Sequence, residues 1–289
     1  MKRLLTWAAR TIVPEKVIDT LAAAREILAP IPQAPAQWDE AAVQLNQLRL
    51  HVRRVGYPQY LYGLLSAART ARAAGTNQFT AIEFGVAGGN GLVAMEHHAT
   101  IVERQWDVSI RVVGFDTSSG LPQRTDPRDC PFSFQGGEFR MDETKLRGRL
   151  QRADLRLGDV AHTIQAFASE GFPPVGFVSN DLDLYTSTRD SFALLSLEPD
   201  RLLPRVAMYF DDLFGYPYTT VTGEWAAINE FNSNQRDRQL GHIRGLKHRL
   251  GRAYRLSVWT EAFFVLHIFD HPGYNSQEIT AHLDASLRD

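Results

Sequence analysis

Cysteine is almost absent from this sequence, which contains a single one, Cys130, among 289 residues. One thiol excludes an intrachain disulfide and any metal site made of several cysteines. Few cysteines are typical of proteins that work in a reducing compartment, so we expect a cytoplasmic location. With 44% hydrophobic residues, the chain can still bury an ordinary apolar core without such cross-links.

The sequence also lacks a cluster of basic residues. Its 31 lysines and arginines are nearly balanced by 33 acidic residues, for a formal net charge of -2. Because binding to a nucleic acid depends on neutralising many phosphates with such clusters, we expect no nucleic acid partner.

Long apolar runs are missing as well. The first 30 residues start with basic residues and are rich in apolar ones, but Arg10, Glu15 and Lys16 interrupt the apolar stretch. The apolar positions recur at helical spacing, which predicts two amphipathic helices rather than a targeting signal or a membrane span. We therefore expect no stable membrane insertion.

Prolines divide the chain into two predicted parts. The proline-rich residues 29–37 are typical of a linker or turn. We predict a helical N-terminal extension over residues 1–55, which could serve as an arm, a lid or a dimer contact, and a main domain over residues 56–289. The extension is the feature that suggests a homo-oligomer.

Helical and strand patterns alternate from residue 56 onward. Helical patterns cover residues 57–75, 91–105, 145–153, 187–199 and 223–232, and strand patterns cover residues 79–86, 109–116, 154–159, 176–181 and 205–212. Residues 256–270 have the pattern of one or two long strands. This alternation predicts an α/β fold in which helices cover both faces of a mostly parallel sheet. Ligands of such sheets bind beyond the carboxyl ends of the strands.

Acidic residues lie at the ends of the first five predicted strands. They are Glu83, Asp116, Asp159, Asp181 with Asp183, and Asp211 with Asp212. Any one of them could simply cap the next helix. Taken together, converging carboxylates would repel a pyrophosphate but suit a ligand with positive charge, such as S-adenosylmethionine, which has a sulfonium and an ammonium group.

The first of these strand ends runs into a glycine-rich loop. The segment AIEFGVAGGNG, residues 81–91, contains four glycines. Their spacing differs from the G-x-G-x-x-G pattern of dinucleotide-binding proteins. A tight turn without a ligand is the plain alternative.

Five segments in this order, EFGVAGGNG, FDTSSGLP, LRLGDVAHT, NDLDLYTST and FDDL, resemble the motif series of class I S-adenosylmethionine-dependent methyltransferases. The resemblance is specifically to the macrocin O-methyltransferase (TylF-type) family and covers roughly residues 56–270. Its most specific element is D-x-D-x-Y-x-S-T, which starts at Asp181 and ends at Thr188. The resemblance implies a Rossmann-like fold whose mostly parallel, seven-stranded sheet has an antiparallel C-terminal strand.

The resemblance also implies roles for individual residues. Glu83, Gly85 and Gly89 would shape the methionine end of the cofactor pocket, Asp116 would hold the ribose hydroxyls, and Asp159 would face the adenine. The full predicted cofactor site comprises Glu83, Gly85, Gly89, Asn90, Asp116, Thr117, Asp159 and Asp181. The family binds a divalent cation, usually Mg²⁺, and on this chain its ligands would be Asp181, Asp211 and Asp212.

A metal site also follows from the residues themselves. Neighbouring parallel strands lie about 4.8 Å apart, so acids at their ends can converge on one ion. Carboxylate oxygens suit a hard cation such as Mg²⁺. Asp181 could bind this ion and also act as the catalytic base. In the alternative, no metal is bound, Asp211 and Asp212 cap a loop and Asp183 sits on a turn.

The sequence therefore predicts a Mg²⁺-assisted, S-adenosylmethionine-dependent O-methyltransferase. Its substrate would be a small hydroxylated molecule, with a sugar of a natural product or glycan as the favoured class, because a vicinal diol chelates the ion well. The alternatives are a metal-independent or catechol-type methyltransferase, a non-catalytic cofactor-binding relative, and a nicotinamide-dependent oxidoreductase. The last of these leaves the acid motifs unexplained.

Overall fold

The structure, a computed structural model, describes residues 39–123, 126–251, 254 and 256–275. The helices predicted within residues 1–30 and the proline-rich residues 29–37 lie outside this range. The domain boundary at residue 55 stays a prediction. Two helices that precede it, α1 (Glu40–Gln47) and α2 (Arg49–Val55), pack against the rest of the domain.

Seven strands form one sheet in the described part of the chain. They are β1 (Gln78–Phe84), β2 (Ser109–Asp116), β3 (Asp154–Leu157), β4 (Val175–Asn180), β5 (Leu202–Phe210), β6 (Arg238–His242) and β7 (Phe263–Ile268). Their order across the sheet is β3-β2-β1-β4-β5-β7-β6. Strands β1 to β5 pair in parallel, whereas β7 is antiparallel to both β5 and β6. This confirms the predicted Rossmann-like sheet with an antiparallel C-terminal strand.

Helices cover both faces of this sheet. After α1 and α2 they are α3 (Pro58–Ala73), α4 (Asn90–Trp106), α5 (Glu143–Arg147), α6 (Val160–Ala168), α7 (Tyr185–Ser191) and α8 (Gly223–Asn234). On β1, the Glu83 side chain meets Tyr60 of α3, whereas the next residue, Phe84, stacks on Phe115, which contacts Phe167 of α6. Because successive strand residues point to opposite faces, α3 and α6 lie on opposite sides.

The central strands are buried because both of their faces are covered. Every residue of β4 is buried, and so is every residue of β1 after Gln78. Such continuous burial is typical of parallel strands inside an α/β sheet. No helix among the described residues is both long and apolar enough to cross a membrane.

Three predicted elements were wrong in extent. The helix expected over residues 187–199 is α-helical only to Ser191 and continues as a 3-10 helix to Ser196. The helix expected over residues 145–153 ends at Arg147, because Gly148 caps it and the backbone N–H groups of residues 151, 152 and 153 all donate hydrogen bonds to the buried carboxylate of Glu96. The long strands expected over residues 256–270 are one strand, β7, preceded by the 3-10 turn Val258–Glu261. Strand β6 and helix α6 were not predicted.

Helix α3 approaches the sheet closely at Gly63. A Cβ atom at this position would lie 2.2 Å from the Phe177 ring of β4, which is fully buried and cannot move aside. We expect Gly63→Ala to lower the free energy of unfolding by about 1–3 kcal/mol, although alanine favours the helix by about 1 kcal/mol. Urea unfolding measures this change. Arg72→Ala, at an exposed position of the same helix, is the control, and a Gly63→Ala variant as stable as that control would contradict the close approach.

Candidate functional site

A cavity of about 360 Å³ opens at the carboxyl ends of the parallel strands. The order of the sheet reverses between β1 and β4, and clefts at such a reversal are where α/β proteins bind ligands. All five parallel strands contribute to the lining. The contributing residues include Gly85 after β1, Asp116 at the end of β2, Asp159 after β3, Asp181 after β4, and Asp211 and Asp212 after β5.

The glycines of the loop after β1 allow close contacts between backbones and side chains. Gly85 has a φ of +83°, and a Cβ atom there would lie 1.7 Å from the backbone oxygen of Asp181. Gly89 has a φ of +76°, and a Cβ atom there would lie 2.0 Å from the Leu146 side chain. A side chain at either position would therefore displace a neighbouring group. At Gly85 this group is the backbone of Asp181, which forms part of the cavity wall.

Asp116 holds the glycine loop against the end of β2. Its Oδ2 atom accepts hydrogen bonds from the N–H groups of Val86 at 2.9 Å and Ala87 at 2.8 Å. Its Oδ1 atom accepts one from the N–H of Ser118 at 2.6 Å. A carboxylate has about four acceptor positions, so one position, on Oδ1, is left for a ligand in the cavity.

The remaining predicted cofactor residues have different positions relative to the cavity. Thr117 lines it, and its hydroxyl donates a hydrogen bond to the backbone oxygen of Gly120 at 2.7 Å. Asp159 lines it too and caps helix α6 by accepting from the N–H of Ala161 at 2.9 Å. Asn90 does not line it: its Oδ1 atom accepts from Arg149 and borders a second cavity.

Glu83 is buried behind the cavity rather than in its wall. Its Oε1 atom accepts a hydrogen bond from the hydroxyl of Tyr60 at 2.7 Å, and its Oε2 atom has no hydrogen-bond partner among the described residues. Burial raises the pKa of Glu83 to about 8, against the opposing effect of the Tyr60 hydrogen bond. The side chain is therefore protonated or balanced by a cation at neutral pH.

The three predicted metal ligands come together at one side of the cavity. Asp181, Asp211 and Asp212 each offer a carboxylate oxygen, and these atoms all lie within 4.8 Å of one another. Asp212 Oδ2 also accepts from the N–H of Asp183 at 2.9 Å, which ties the turn after β4 to the end of β5. We refer to Asp181, Asp211 and Asp212 as the acid cluster.

The acid cluster is crowded with negative charge. Burial and the charges of Asp212 and Asp211 raise the pKa of Asp181 well above its usual range. Burial also raises the pKa of Asp212, and Asp183 and Asp211 add to the effect. Among the described residues, none of the cluster carboxylates forms an ion pair with a basic side chain. The site therefore favours a bound cation.

Three further side chains surround the acid cluster, and sequence reasoning missed the two tyrosines among them. The hydroxyl of Tyr209 donates to Asp211 Oδ1 at 2.5 Å, and that of Tyr218 donates to Asp183 Oδ1 at 2.9 Å. Glu224, at the start of α8, is fully buried and accepts from the N–H of Asp212 at 3.1 Å. An acid in the first helical turn was a visible signal for Glu224. No local pattern marks the two tyrosines.

No protein-family model matches the chain, and no curated protein matches it in sequence. Among solved structures, the calicheamicin methyltransferase CalS11 is 21% identical, with a TM-score of 0.51 over 88% of this chain and 93% of CalS11. The O-methyltransferase NovP is 16% identical, with a TM-score of 0.48 over 72% of this chain and 78% of NovP. The likeness to CalS11 shows that the two chains share a fold. The narrower resemblance to the TylF-type family stays a prediction.

The contact between Gly85 and Asp181 can be tested with a glycine from the same loop as control. Gly85→Ala forces a positive φ on alanine and pushes against the Asp181 backbone, so we expect it to lower the free energy of unfolding by about 2 kcal/mol or more. Gly88→Ala meets no atom within 4 Å and has no positive φ, so we expect a change within about 0.5 kcal/mol. Equal midpoints of urea unfolding for the two variants would show that the contact is unimportant.

Proposed function

We propose that this protein is an S-adenosylmethionine-dependent O-methyltransferase, assisted by Mg²⁺, that acts on a hydroxyl group of a small molecule. A sugar of a natural product or glycan is the favoured substrate class. The observation that carries the proposal is the convergence of Asp181, Asp211 and Asp212 beside a cavity that all five parallel strands line. The fold shared with the calicheamicin methyltransferase CalS11 supports it.

The cavity has the chemistry that S-adenosylmethionine requires. The free acceptor position on Asp116 would receive a ribose hydroxyl, as the sequence predicted. Asp159 and the half-buried Val160 line the part of the cavity beyond β3, where a polar and an apolar group together suit an adenine. The negative charge of the acid cluster would attract the sulfonium and ammonium groups.

The acid cluster also fits a magnesium ion. Oxygens on opposite sides of a six-coordinate Mg²⁺ lie about 4 Å apart, so small rotations of the three side chains would bring their oxygens to one ion. The buried Oε1 atom of Glu224 has no hydrogen-bond partner among the described residues, and burial raises the pKa of this acid well above its usual range, an effect that a cation nearby would oppose. When bound, the ion would lower the pKa of a coordinated hydroxyl and help to orient it.

Asp181 is the residue we assign to proton removal. Its carboxylate belongs to the acid cluster, where the ion would also hold the substrate hydroxyl, so the base and the proton to be removed would lie side by side. S-adenosylmethionine would supply the methyl group and would keep the electron pair of the broken carbon–sulfur bond, leaving as S-adenosylhomocysteine. The substrate hydroxyl would form the new oxygen–carbon bond, and its proton would pass to Asp181. The same carboxylate lines the cavity, so the base lies beside the methyl donor.

Related functions would give different experimental results. Methyl transfer without a metal would rest on Asp181 alone, and a catechol would present two neighbouring oxygens as a sugar diol does. A non-catalytic relative would bind the cofactor without turnover.

We propose that the protein acts in the cytoplasm as a homo-oligomer and binds no nucleic acid.

Cofactor and metal binding can be separated by calorimetry. We expect S-adenosylhomocysteine to bind the wild-type protein and NAD not to bind. Asp211→Asn should weaken Mg²⁺ binding tenfold or more, since a charged ligand is lost, and should leave S-adenosylhomocysteine binding within about threefold. Asp107→Asn is the control, because Asp107 is an exposed residue at the end of helix α4 and lies outside the acid cluster. Binding of NAD instead would reject the methyltransferase, and unchanged Mg²⁺ binding in Asp211→Asn would reject the metal site.

Asp181 is tested by the rate of methyl transfer. With a diol substrate found by screening, we expect Asp181→Asn to lower kcat by roughly 10²–10⁴, because the base and one predicted metal ligand are removed together. Production of S-adenosylhomocysteine is the measurement, and calorimetry checks that the cofactor still binds. A kcat within threefold of wild type would exclude Asp181 as the base.

A further inference from the structure

A second cavity, of about 520 Å³, lies on the other side of the glycine loop. Helix α2, the start of α3, helix α4 and the segment after α5 surround it. Its polar lining consists of His51, Arg54, Tyr57, Asn90, His97 and Arg149. None of the described residues that line it is acidic, so it contrasts with the acid-lined cavity. We refer to it as the basic cavity.

Arg149 is held rigidly in the wall of the basic cavity. Its Nη1 atom donates to the backbone oxygen of Gly88 at 2.8 Å, and its Nη2 atom donates to Asn90 Oδ1 at 2.7 Å. Both acceptors are neutral, so the positive charge is not compensated by them. A guanidinium has five N–H groups, and the three that remain are available to an anionic ligand.

His51 is fixed by a buried neighbour. His98 Nε2 lies 2.9 Å from the backbone oxygen of Gly56, which can only accept, so this nitrogen carries a hydrogen. Burial lowers the pKa of His98 to about 4, so the ring is neutral and its Nδ1 atom accepts from His51 Nε2 at 3.0 Å. The His51 ring is therefore held in place by a chain of hydrogen bonds that starts in the core.

The basic groups of the cavity repel one another. Burial lowers the pKa of His51, and the neighbouring His97 and Arg54 act in the same direction. Arg54 has no carboxylate partner among the residues that the structure describes. An anion placed among these side chains would relieve the repulsion and form charge-assisted hydrogen bonds with Arg54 and Arg149.

Tyr57 lies between the basic cavity and the end of β1. It lines the basic cavity, and its ring centroid lies 5.2 Å from that of Tyr60, whose hydroxyl donates to Glu83. The glycine loop accepts a hydrogen bond from Arg149 on the side of the basic cavity and donates two to Asp116 on the side of the acid-lined cavity. This loop therefore stands between Arg149 and the acid-lined cavity, and one small molecule could place a hydroxyl at the acid cluster and extend around the loop into the basic cavity.

We propose that the basic cavity binds an anionic group, a phosphate or a carboxylate, of the methyl-accepting substrate. The inference rests on the proposed function and narrows the substrate class to hydroxylated molecules that carry a negative charge. The cavity, of about 520 Å³, has room for a phosphate or diphosphate together with its hydration water.

The experiment uses inorganic pyrophosphate as the probe and calorimetry on the full chain. We expect pyrophosphate to bind the wild-type protein both alone and in the presence of saturating S-adenosylhomocysteine. Arg54→Gln should weaken this binding about tenfold, the effect of losing one charge-assisted hydrogen bond. Arg53→Gln, the preceding residue of helix α2, which does not line the cavity, is the matched control and should bind as wild type does.

Three results would overturn the proposal. The first is that pyrophosphate fails to bind the wild-type protein, and the second is that Arg53→Gln and Arg54→Gln weaken binding equally. The third is that S-adenosylhomocysteine displaces pyrophosphate and itself binds less tightly to Arg54→Gln, which would assign the cavity to the cofactor carboxylate. Failure of S-adenosylhomocysteine to bind the wild-type protein would instead reject the proposed function. Pyrophosphate binding is measured separately, without S-adenosylhomocysteine, so the two proposals can fail independently.

Discussion

The site of this protein depends on the concentration of negative charge at one edge of a parallel sheet. Parallel strands all end at the same edge, so acids that follow different strands are brought together although they repel one another. Backbone N–H groups hold part of this charge: three of them donate to Asp116, and one donates to Asp212. The acid cluster keeps charge that the described residues do not balance, and this explains why a cationic cofactor and a metal ion suit the site.

The glycine loop is positioned from both of its sides. On the inner side, Asp116 accepts from Val86 and Ala87. On the outer side, Arg149 donates to Gly88 and Asn90. Arg149 belongs to the segment that stops being helical where Glu96 accepts from the N–H groups of residues 151, 152 and 153. A buried acid that lines neither cavity thus helps to place a basic residue beside the loop.

The loop also separates two regions of opposite charge. Carboxylates line the cavity on the side of the acid cluster, and arginine and histidine side chains line the cavity on the side of helices α2 and α4. This separation gives a small molecule a defined direction in the site, because a cation and an anion would be attracted to different ends. Orientation of this kind is what a displacement reaction on a methyl group requires.

The alternation of helical and strand patterns predicted the parallel part of the sheet. Helices that follow the strands cover both faces of such a sheet, so the strands are mostly apolar and can be recognised in the sequence. Strand β6 was not predicted: only Leu240 of its five residues is buried, so its sequence has no apolar run. The helix expected over residues 145–153 was wrong for another reason. The segment contains a poor helix former, Gly148, which caps the observed helix, and beyond it a tertiary hydrogen-bond acceptor, Glu96, competes for the N–H groups.

The sequence by itself determined the five parallel strands, the position of the glycine loop, and the acids at the strand ends, because these follow from local periodicity and from the rule that parallel strands end together. Only the tertiary structure decided what each acid contacts. It placed Glu83 behind the cavity against Tyr60, turned Asn90 toward Arg149, and brought Tyr218 and Glu224 to the acid cluster. These contacts join residues distant in the chain, and no local pattern encodes which of them will meet.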